Sequence, residues 1–381
     1  MKIVHLTKYL FGVPGGIERV TREMAIAAVG TGAEVDVIGI SPQFQGPMLE
    51  APQQGINDFS LPILFRIGPV PVAPKYLFLR EKLLNADLVH LHLPNPIAEL
   101  SLLWFLYSCK RHKNKPLIVP ITDSGILRWP RLAKIWETLI QKRLLQQADS
   151  ILVSAPQLLD IFPTFGAFRE KSYIIPFPVR PPPPSYFSRR IETLSTMRLL
   201  AVGRLVWYKG FDVLLDAVVN LPGNWQLTIA GQGPEGKVLK AKINRLGLLN
   251  KVTIFEGLPE DIKHELMENC DLFIAPSQTE AESFGMAIVE AFAHGKPVIT
   301  TNLKTGVAFL ARNGACGAIV PVQSVSELRS AIIRMMNDPA RRYATGNANL
   351  DFWRKELSLD AFQRKYQKFL EHLGLLVKKA A

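Results

Sequence analysis

Cysteine is scarce. Cys109, Cys270 and Cys316 are the three in 381 residues, widely spaced and with no CxxC pair. That excludes a disulfide framework and a cysteine zinc site, and a reducing compartment is expected. Long apolar runs are missing as well. The most apolar stretch, residues 97–107, is too short for a bilayer, which needs about 20 residues. Met1–Thr7 lacks the charged, apolar and small-residue regions of a signal peptide, so a cytoplasmic protein is expected. No zinc finger, RNP motif or basic-region zipper occurs, which argues against nucleic acid. No repeat of solenoid length occurs either.

The composition that remains is globular, with 48% hydrophobic and 20% charged residues, enough for two domains with buried cores. The net charge is +12. Residues 1–190 carry 22 Lys/Arg against 14 Asp/Glu, and residues 191–381 carry 23 against 19. The basic excess therefore lies mainly in the first half, where it favours phosphates or anionic lipid. Strand-like runs at 2–7, 35–40, 88–91, 117–121, 151–153 and 173–175 alternate with helical runs. The alternation restarts at 198–202, 226–230, 252–255, 272–275 and 297–300. This is the pattern of an α/β protein with parallel sheets covered on both faces. Residues 176–188, with four prolines at 181–184, fit neither a helix nor a central strand and read as a stiff linker. The expectation is two Rossmann-like domains, 1–188 and 189–381, the second carrying the C-terminal helices, with ligand bound at strand carboxyl ends and in a cleft between the domains.

Residues 275–290, APSQTEAESFGMAIVE, follow a strand and open a helix that ends near His294 with Gly295 as its cap. The free N–H groups of Phe284, Gly285 and Met286 suit an anion such as a diphosphate. Glu282 stands at the helix mouth. Glu290 lies eight residues on, about 12 Å along a continuous helix, and two such carboxylates can accept hydrogen bonds from sugar hydroxyls. The segment also reads as a capped amphipathic helix whose acids favour its N-terminal end. Val202–Gly210 follows a strand too, and Arg204 and Lys209 there can neutralise a diphosphate. They also read as two solvated cations.

Gly203-Arg204-Leu205 with Lys209-Gly210, followed by Glu282-x7-Glu290, resembles the retaining GT-B glycosyltransferases of family GT4, along nearly the whole chain. The resemblance implies that Arg204 and Lys209 bind the donor diphosphate, Glu282 the transferred sugar and Glu290 the ribose. It implies front-face displacement with retention, without a metal or other cofactor. The pattern around Thr305-Gly306-Val307 looks most like bacterial mannosyltransferases of O-antigen and exopolysaccharide assembly, which makes GDP-mannose the expected donor. In the first half, Gly15 and Gly16 match the family's Gly-Gly loop, where backbone nears the donor phosphates and glycine leaves room. His92 matches a family position that would face the cleft, although a lone histidine is more often structural. Thr122 stands where many relatives have a histidine, with Asp123 beside it as a site residue.

Trp104, Lys110, Arg111, Lys113, Lys115, Arg128, Trp129, Arg131, Lys134, Trp136, Lys142 and Arg143 cluster in sequence. They fit either docking to an anionic membrane face, with a lipid-linked saccharide as acceptor, or amphipathic helices over a sheet. Three rival readings stand beside this one. Gly231-x-Gly233-x-x-Gly236, with Glu256 some 20 residues on, is formally a dinucleotide fingerprint and suggests a dehydrogenase. The missing histidine suggests a nucleotide-sugar-binding protein without transferase activity. A soluble enzyme making a small disaccharide is the third.

Overall fold

The computed structural model describes residues 1–10, 16–40, 54–67, 70–109, 116–122, 134–183, 196–313 and 316–376. The chain divides into two compact units, Met1–Pro178 with Leu359–Ala381, and Val179–Ser358.

The first unit holds a seven-stranded parallel sheet. Its strands are β1 (Lys2–Tyr9), β2 (Glu34–Ile40), β3 (Ile56–Leu61), β6 (Leu88–Leu93), β7 (Leu117–Thr122), β8 (Ile151–Val153) and β9 (Ser172–Ile174), in the order β3-β2-β1-β6-β7-β8-β9. A separate hairpin pairs β4 (Phe65–Ile67) with β5 (Val70–Val72). β1 and β6 alternate two kinds of buried residue. Val4, Leu6, Val89, Leu91 and Leu93 enter the apolar core on one face. His5, Thr7, His90 and His92 are buried on the other. The helix Pro96–Ser108 starts from a reciprocal cap, in which Asn95 Oδ1 accepts from Ala98 N–H and Glu99 Oε1 accepts from Asn95 N–H at 2.8 Å.

The second unit repeats the plan with six parallel strands. They are β10 (Met197–Val202), β11 (Trp225–Ala230), β12 (Val252–Phe255), β13 (Leu272–Ala275), β14 (Val298–Thr301) and β15 (Ala318–Val320), in the order β12-β11-β10-β13-β14-β15. Counted within each unit, both sheets run 3-2-1-4-5-6, the doubly wound order, and the first unit adds one strand. The order reverses between β1 and β6 in one unit and between β10 and β13 in the other. Loops leaving those strands at their carboxyl ends are where such sheets hold ligands.

The structure differs from the sequence reading in its unit boundary, its last helix and several short strands. The unit boundary lies at Pro178 rather than residue 188. Residues 175–179 are buried rather than free, with Val179 N–H donating to the Leu357 carbonyl at 3.0 Å and Trp353 Nε1–H to the Val179 carbonyl at 3.1 Å. The last helix, Leu359–His372, belongs to the first unit, where it packs on the helix Gly16–Val29. Its buried stripe of Phe362, Tyr366, Phe369 and Leu370 demands a covering face, but helical spacing does not say which unit supplies it. β3 also went unforeseen. It is an edge strand whose Asn57, Asp58 and Ser60 are exposed, so no apolar alternation marks it.

Candidate donor-binding site

In the second unit the two motifs leave the two strands that flank the order reversal. Gly203–Lys209 follows β10, and Pro276–Gly285 follows β13. One glycine lets the loops approach. Gly210 is in the left-handed region (φ 71°), and a Cβ there would lie 2.0 Å from the Pro276 carbonyl oxygen. Gln278 N–H then donates to the Tyr208 carbonyl at 2.7 Å, tying one loop to the other.

The approach pairs Lys209 Nζ with Glu282 Oε2, both side chains mostly buried. Ser277 Oγ–H donates to the same carboxylate oxygen at 3.0 Å. Arg204 is exposed, and its Nη2 donates to the Tyr208 hydroxyl at 2.6 Å. Lys209, Ser277, Glu282 and Gly285 together line a small concavity with Val202, Phe211 and Ile288.

The helix at this mouth is Met286–Ala293, with Gly285 (φ 91°) as its left-handed N-cap. This corrects the expectation of a continuous helix from Glu282. The segment 282–285 is a loop, and Glu290 lies four residues into the helix, a rise of about 6 Å from Met286. The Phe284 side chain is buried. The loop is held from below, where Thr305 Oγ1–H donates to the Glu282 carbonyl at 2.7 Å and Gly306 N–H to the Ser283 carbonyl at 2.6 Å. The Thr305-Gly306 motif therefore shapes the turn that carries Glu282. First-turn N–H groups of a helix have no intrahelical acceptor and favour an anion in front of them. Glu290 is buried, and Lys263 Nζ, from the helix Glu260–Asn269, lies 3.0 Å from its Oε1.

The glycines of the formal dinucleotide fingerprint serve this same site. A Cβ on Gly231 would lie 1.8 Å from the Gly203 carbonyl oxygen, and one on Gly233 2.3 Å from that of Leu205. Leu205 N–H donates to Gln232 O at 2.8 Å, and Glu235 N–H to Leu205 O at 2.9 Å. The loop after β11 is thus packed under the Arg204 loop. Glu256 faces Gly236 and pairs with Lys240 at 2.5 Å. β11 does not flank the order reversal, so close packing rather than a dinucleotide accounts for the fingerprint.

In the first unit, Gly16 opens the helix Gly16–Val29, while Gly15 and Asp123 lie outside the described residues. His92 is 3% exposed, with its Nε2 3.0 Å from His5 Nδ1 and its Nδ1 3.3 Å from Thr21 Oγ1. His90 Nε2 lies 2.7 Å from the Tyr366 hydroxyl. Burial holds all three histidines neutral, pushing His90 down to about 4, His92 to about 3 and His5 well below its ordinary value. His92 is therefore part of a buried network between sheet and helices and not a group presented to substrate. Strand alternation places it on the inner face beside His90.

Tyr208, Ser277 and Lys263 were not singled out in the sequence. A serine two residues past a strand end was a usable signal for Ser277, but nothing local marks Lys263 as a partner of Glu290. Among the described residues no group of three His, Cys, Asp or Glu side chains stands together to hold a metal ion.

Comparison with known proteins agrees with this geometry. Residues 14–181 match the family model described as Glycosyltransferase Family 4, and residues 192–350 the model described as Glycosyl transferases group 1. The O-antigen chain mannosyltransferase C of Escherichia coli is 25% identical, over 97% of this chain and 99% of its own. The D-rhamnosyltransferase WbpZ of Pseudomonas aeruginosa is 26% identical, over 91% and 89%. Among solved structures, sucrose-phosphate synthase from Thermosynechococcus elongatus superposes with a TM-score of 0.74 at 18% identity, covering 98% of this chain and 99% of its own. Anabaena HepE in complex with UDP-glucose does so with 0.74 at 20%, covering 98% and 100%. With both units matched in sequence and in fold, this chain belongs to glycosyltransferase family 4, has the GT-B fold, and is a glycosyltransferase that uses a nucleotide-sugar donor.

Proposed function

We propose that this glycosyltransferase moves mannose from GDP-mannose to a lipid-linked saccharide, with retention of anomeric configuration and without a metal ion. The observation that carries the reading is the pairing of Lys209 with Glu282 at the mouth of the helix Met286–Ala293, with Arg204 on the same loop as Lys209. When a glycosyl–phosphate bond breaks, negative charge develops on the departing diphosphate. Two cations and a helix N-terminus are the groups that stabilise it. They supply the charge a divalent ion would supply, which supports metal independence. Lys209 pairs with Glu282. An arriving diphosphate competes for Lys209 and leaves Glu282 for the hydroxyls of the sugar. Glu290, one turn into the helix, takes the ribose. Displacement is then from the front face, with leaving group and acceptor on one side of the sugar and the departing phosphate oxygen taking the acceptor's proton.

Mannose and a lipid-linked acceptor draw support from the relatives' names. One is the O-antigen mannosyltransferase, and another is a phosphatidyl-myo-inositol mannosyltransferase of Mycobacterium leprae. Association with an anionic membrane draws support from the first unit. The exposed stripe of the helix Pro96–Ser108 carries Leu100, Trp104 and Tyr107 at 38%, 59% and 47% exposure, with no charge among them. Trp136 Nε1–H donates to Glu99 Oε2 at 2.6 Å, which sets the helical residues 134–147 beside it. Those residues expose Ile135 and Leu139 among Lys142 and Arg143. Apolar side chains ringed by cations suit an anionic interface. Lys110, Arg111, Lys113, Lys115, Arg128, Trp129 and Arg131 lie outside the described residues. Among the described residues no helix is long and apolar enough to cross a membrane.

The test is transfer from GDP-mannose, in EDTA, to lipid-linked saccharides, with the anomer of the product read by NMR. An α-mannosyl product formed in EDTA is expected. A β-product sinks retention, and dependence on added metal sinks the metal-free route. Donor binding without transfer to any such acceptor sinks the acceptor assignment.

A further inference from the structure

The helix Glu260–Asn269 brings a second lysine to the donor site. Lys263 lies between two carboxylates, 2.7 Å from Glu260 Oε2 and 3.0 Å from Glu290 Oε1. The environments differ. Glu260 is one turn back on the same helix and half exposed, whereas Lys263 and Glu290 are 12% and 10% exposed at their side chains. An exposed i,i+3 pair contributes little. A carboxylate with so little contact with water needs its cation, because burial penalises the charged form. A ribose offers two neighbouring hydroxyl donors. An ionised carboxylate held in one orientation accepts from both, while a protonated or rotated one does not.

We propose that Lys263 is a positioning residue for the donor. It holds the Glu290 carboxylate in one orientation, so that the ribose diol meets a preformed acceptor. This rests on the reading of Glu290 as the ribose-binding group. Lys263 acts through Glu290 and not on the phosphates, which fall to Arg204 and Lys209. Its effect therefore belongs to the diol alone.

The test compares GDP or UDP, whichever the wild-type protein binds more tightly, with its 2′,3′-dideoxy form. Affinities are read by calorimetry for wild type, Glu290→Ala, Lys263→Met and Lys263→Arg. Wild type is expected to prefer the diol by about tenfold or more, the range for hydrogen bonds to a charged acceptor. Glu290→Ala loses that preference. Lys263→Met loses it as well, while its affinity for the dideoxy form stays within about threefold of wild type, and Lys263→Arg keeps most of it. If Lys263→Met weakens both ligands equally and retains the preference, the positioning role is overturned and the lysine is structural or contacts another part of the nucleotide. If Glu290→Ala retains the preference, the ribose reading itself fails, whatever Lys263 does. If Lys263→Met does not fold, Lys263→Gln, which also removes the cation, carries the test with the same two outcomes.

Discussion

Lys209 and Glu282 carry the chemistry that the account assigns to single residues, and they are 73 positions apart in the chain. Truncating Lys209 to alanine removes a cation from the leaving group and leaves Glu282 mostly buried without it. The expected loss in kcat is about 100-fold or more, the scale of deleting one preorganised charge-stabilising group. Steady-state kinetics check it, and a loss under tenfold would remove Lys209 from the leaving group. Tyr208→Phe deletes the hydroxyl that Arg204 donates to at 2.6 Å. A several-fold rise in donor KM is expected, since the exposed guanidinium then has more orientations to lose on binding; an unchanged KM would show that the tyrosine does not aim it. Both pairs were half legible in the sequence. Arg204, Lys209 and Glu282 lie on the loops that follow strand ends, where the sequence motifs single them out. Tyr208 sits inside the same motif, but a tyrosine there reads as packing until a hydroxyl and a guanidinium are seen together. His92 shows the opposite failure. Its match to a family position suggested a site residue, yet pleat alternation turns it inward, and its two nitrogens are taken by His5 and Thr21.

At the level of elements, the site depends on loops whose shapes only glycine permits. Gly285 caps the helix Met286–Ala293 from the left-handed region, and a Cβ there would lie 3.0 Å from Ile288 Cδ1. Gly285→Ala is expected to cost about 1–2 kcal/mol of stability from the backbone strain alone. It should cost donor affinity as well, because the first-turn N–H groups re-aim. Denaturant unfolding and calorimetry together check this, and unchanged affinity in a folded variant would remove the helix mouth from the phosphate site. The true start of this helix was hard to read. Glu282, Ser283 and Phe284 are all compatible with a helix, and the hydrogen bonds that hold them out of it come from Thr305 and Gly306, more than 20 residues downstream. By contrast the start of the helix Val325–Asn337 is set locally, by its own Ser324 cap. The fingerprint after β11 looked like a ligand loop for a related reason. Close approach of backbone to phosphate and of backbone to backbone both require glycine, and sequence alone does not separate them.

For the whole molecule, the buried histidines make a pH prediction. In the unfolded chain each histidine protonates near 6.5, while the folded protein keeps His90 neutral down to about 4 and His92 to about 3. Below pH 6.5 the unfolded state binds more protons, so stability falls with pH, by about 1.4 kcal/mol per pH unit for each histidine once the pH is well below 6.5. His264 in the second unit, also lowered by burial, acts with the same sign. Glu99, raised by burial, has the opposite sign, because the folded protein takes up its proton before the unfolded chain does as pH falls towards 4.5. Urea unfolding between pH 7 and 5 should show a falling midpoint, and a flat profile would contradict the neutral network. The two-unit architecture was legible because alternating strands and helices restart after the proline run. The return of the last helix to the first unit was not, since an amphipathic stripe states that it must be covered and not by what. The exposed stripe on the helix Pro96–Ser108 bears on location. Trp104→Ser should reduce co-sedimentation with phosphatidylglycerol vesicles, and added salt should reduce it further through screening of the cations. Unaltered binding would place the contact elsewhere.

The central claim is that the second unit holds a nucleotide sugar through Lys209, Glu282 and Glu290. Thermal unfolding with GDP, UDP, ADP, NAD and their sugar conjugates tests it most directly, on wild type and on Lys209→Ala and Glu290→Ala. A ligand held only by the folded state at about 100 times its Kd stabilises by about 2.7 kcal/mol. GDP-mannose is expected to raise the wild-type melting temperature most, and to lose most of that effect in both variants. A larger effect of UDP conjugates would keep the site and discard the guanine and mannose assignments. Stabilisation that both variants retain in full, or that NAD alone provides, would contradict the account of the site.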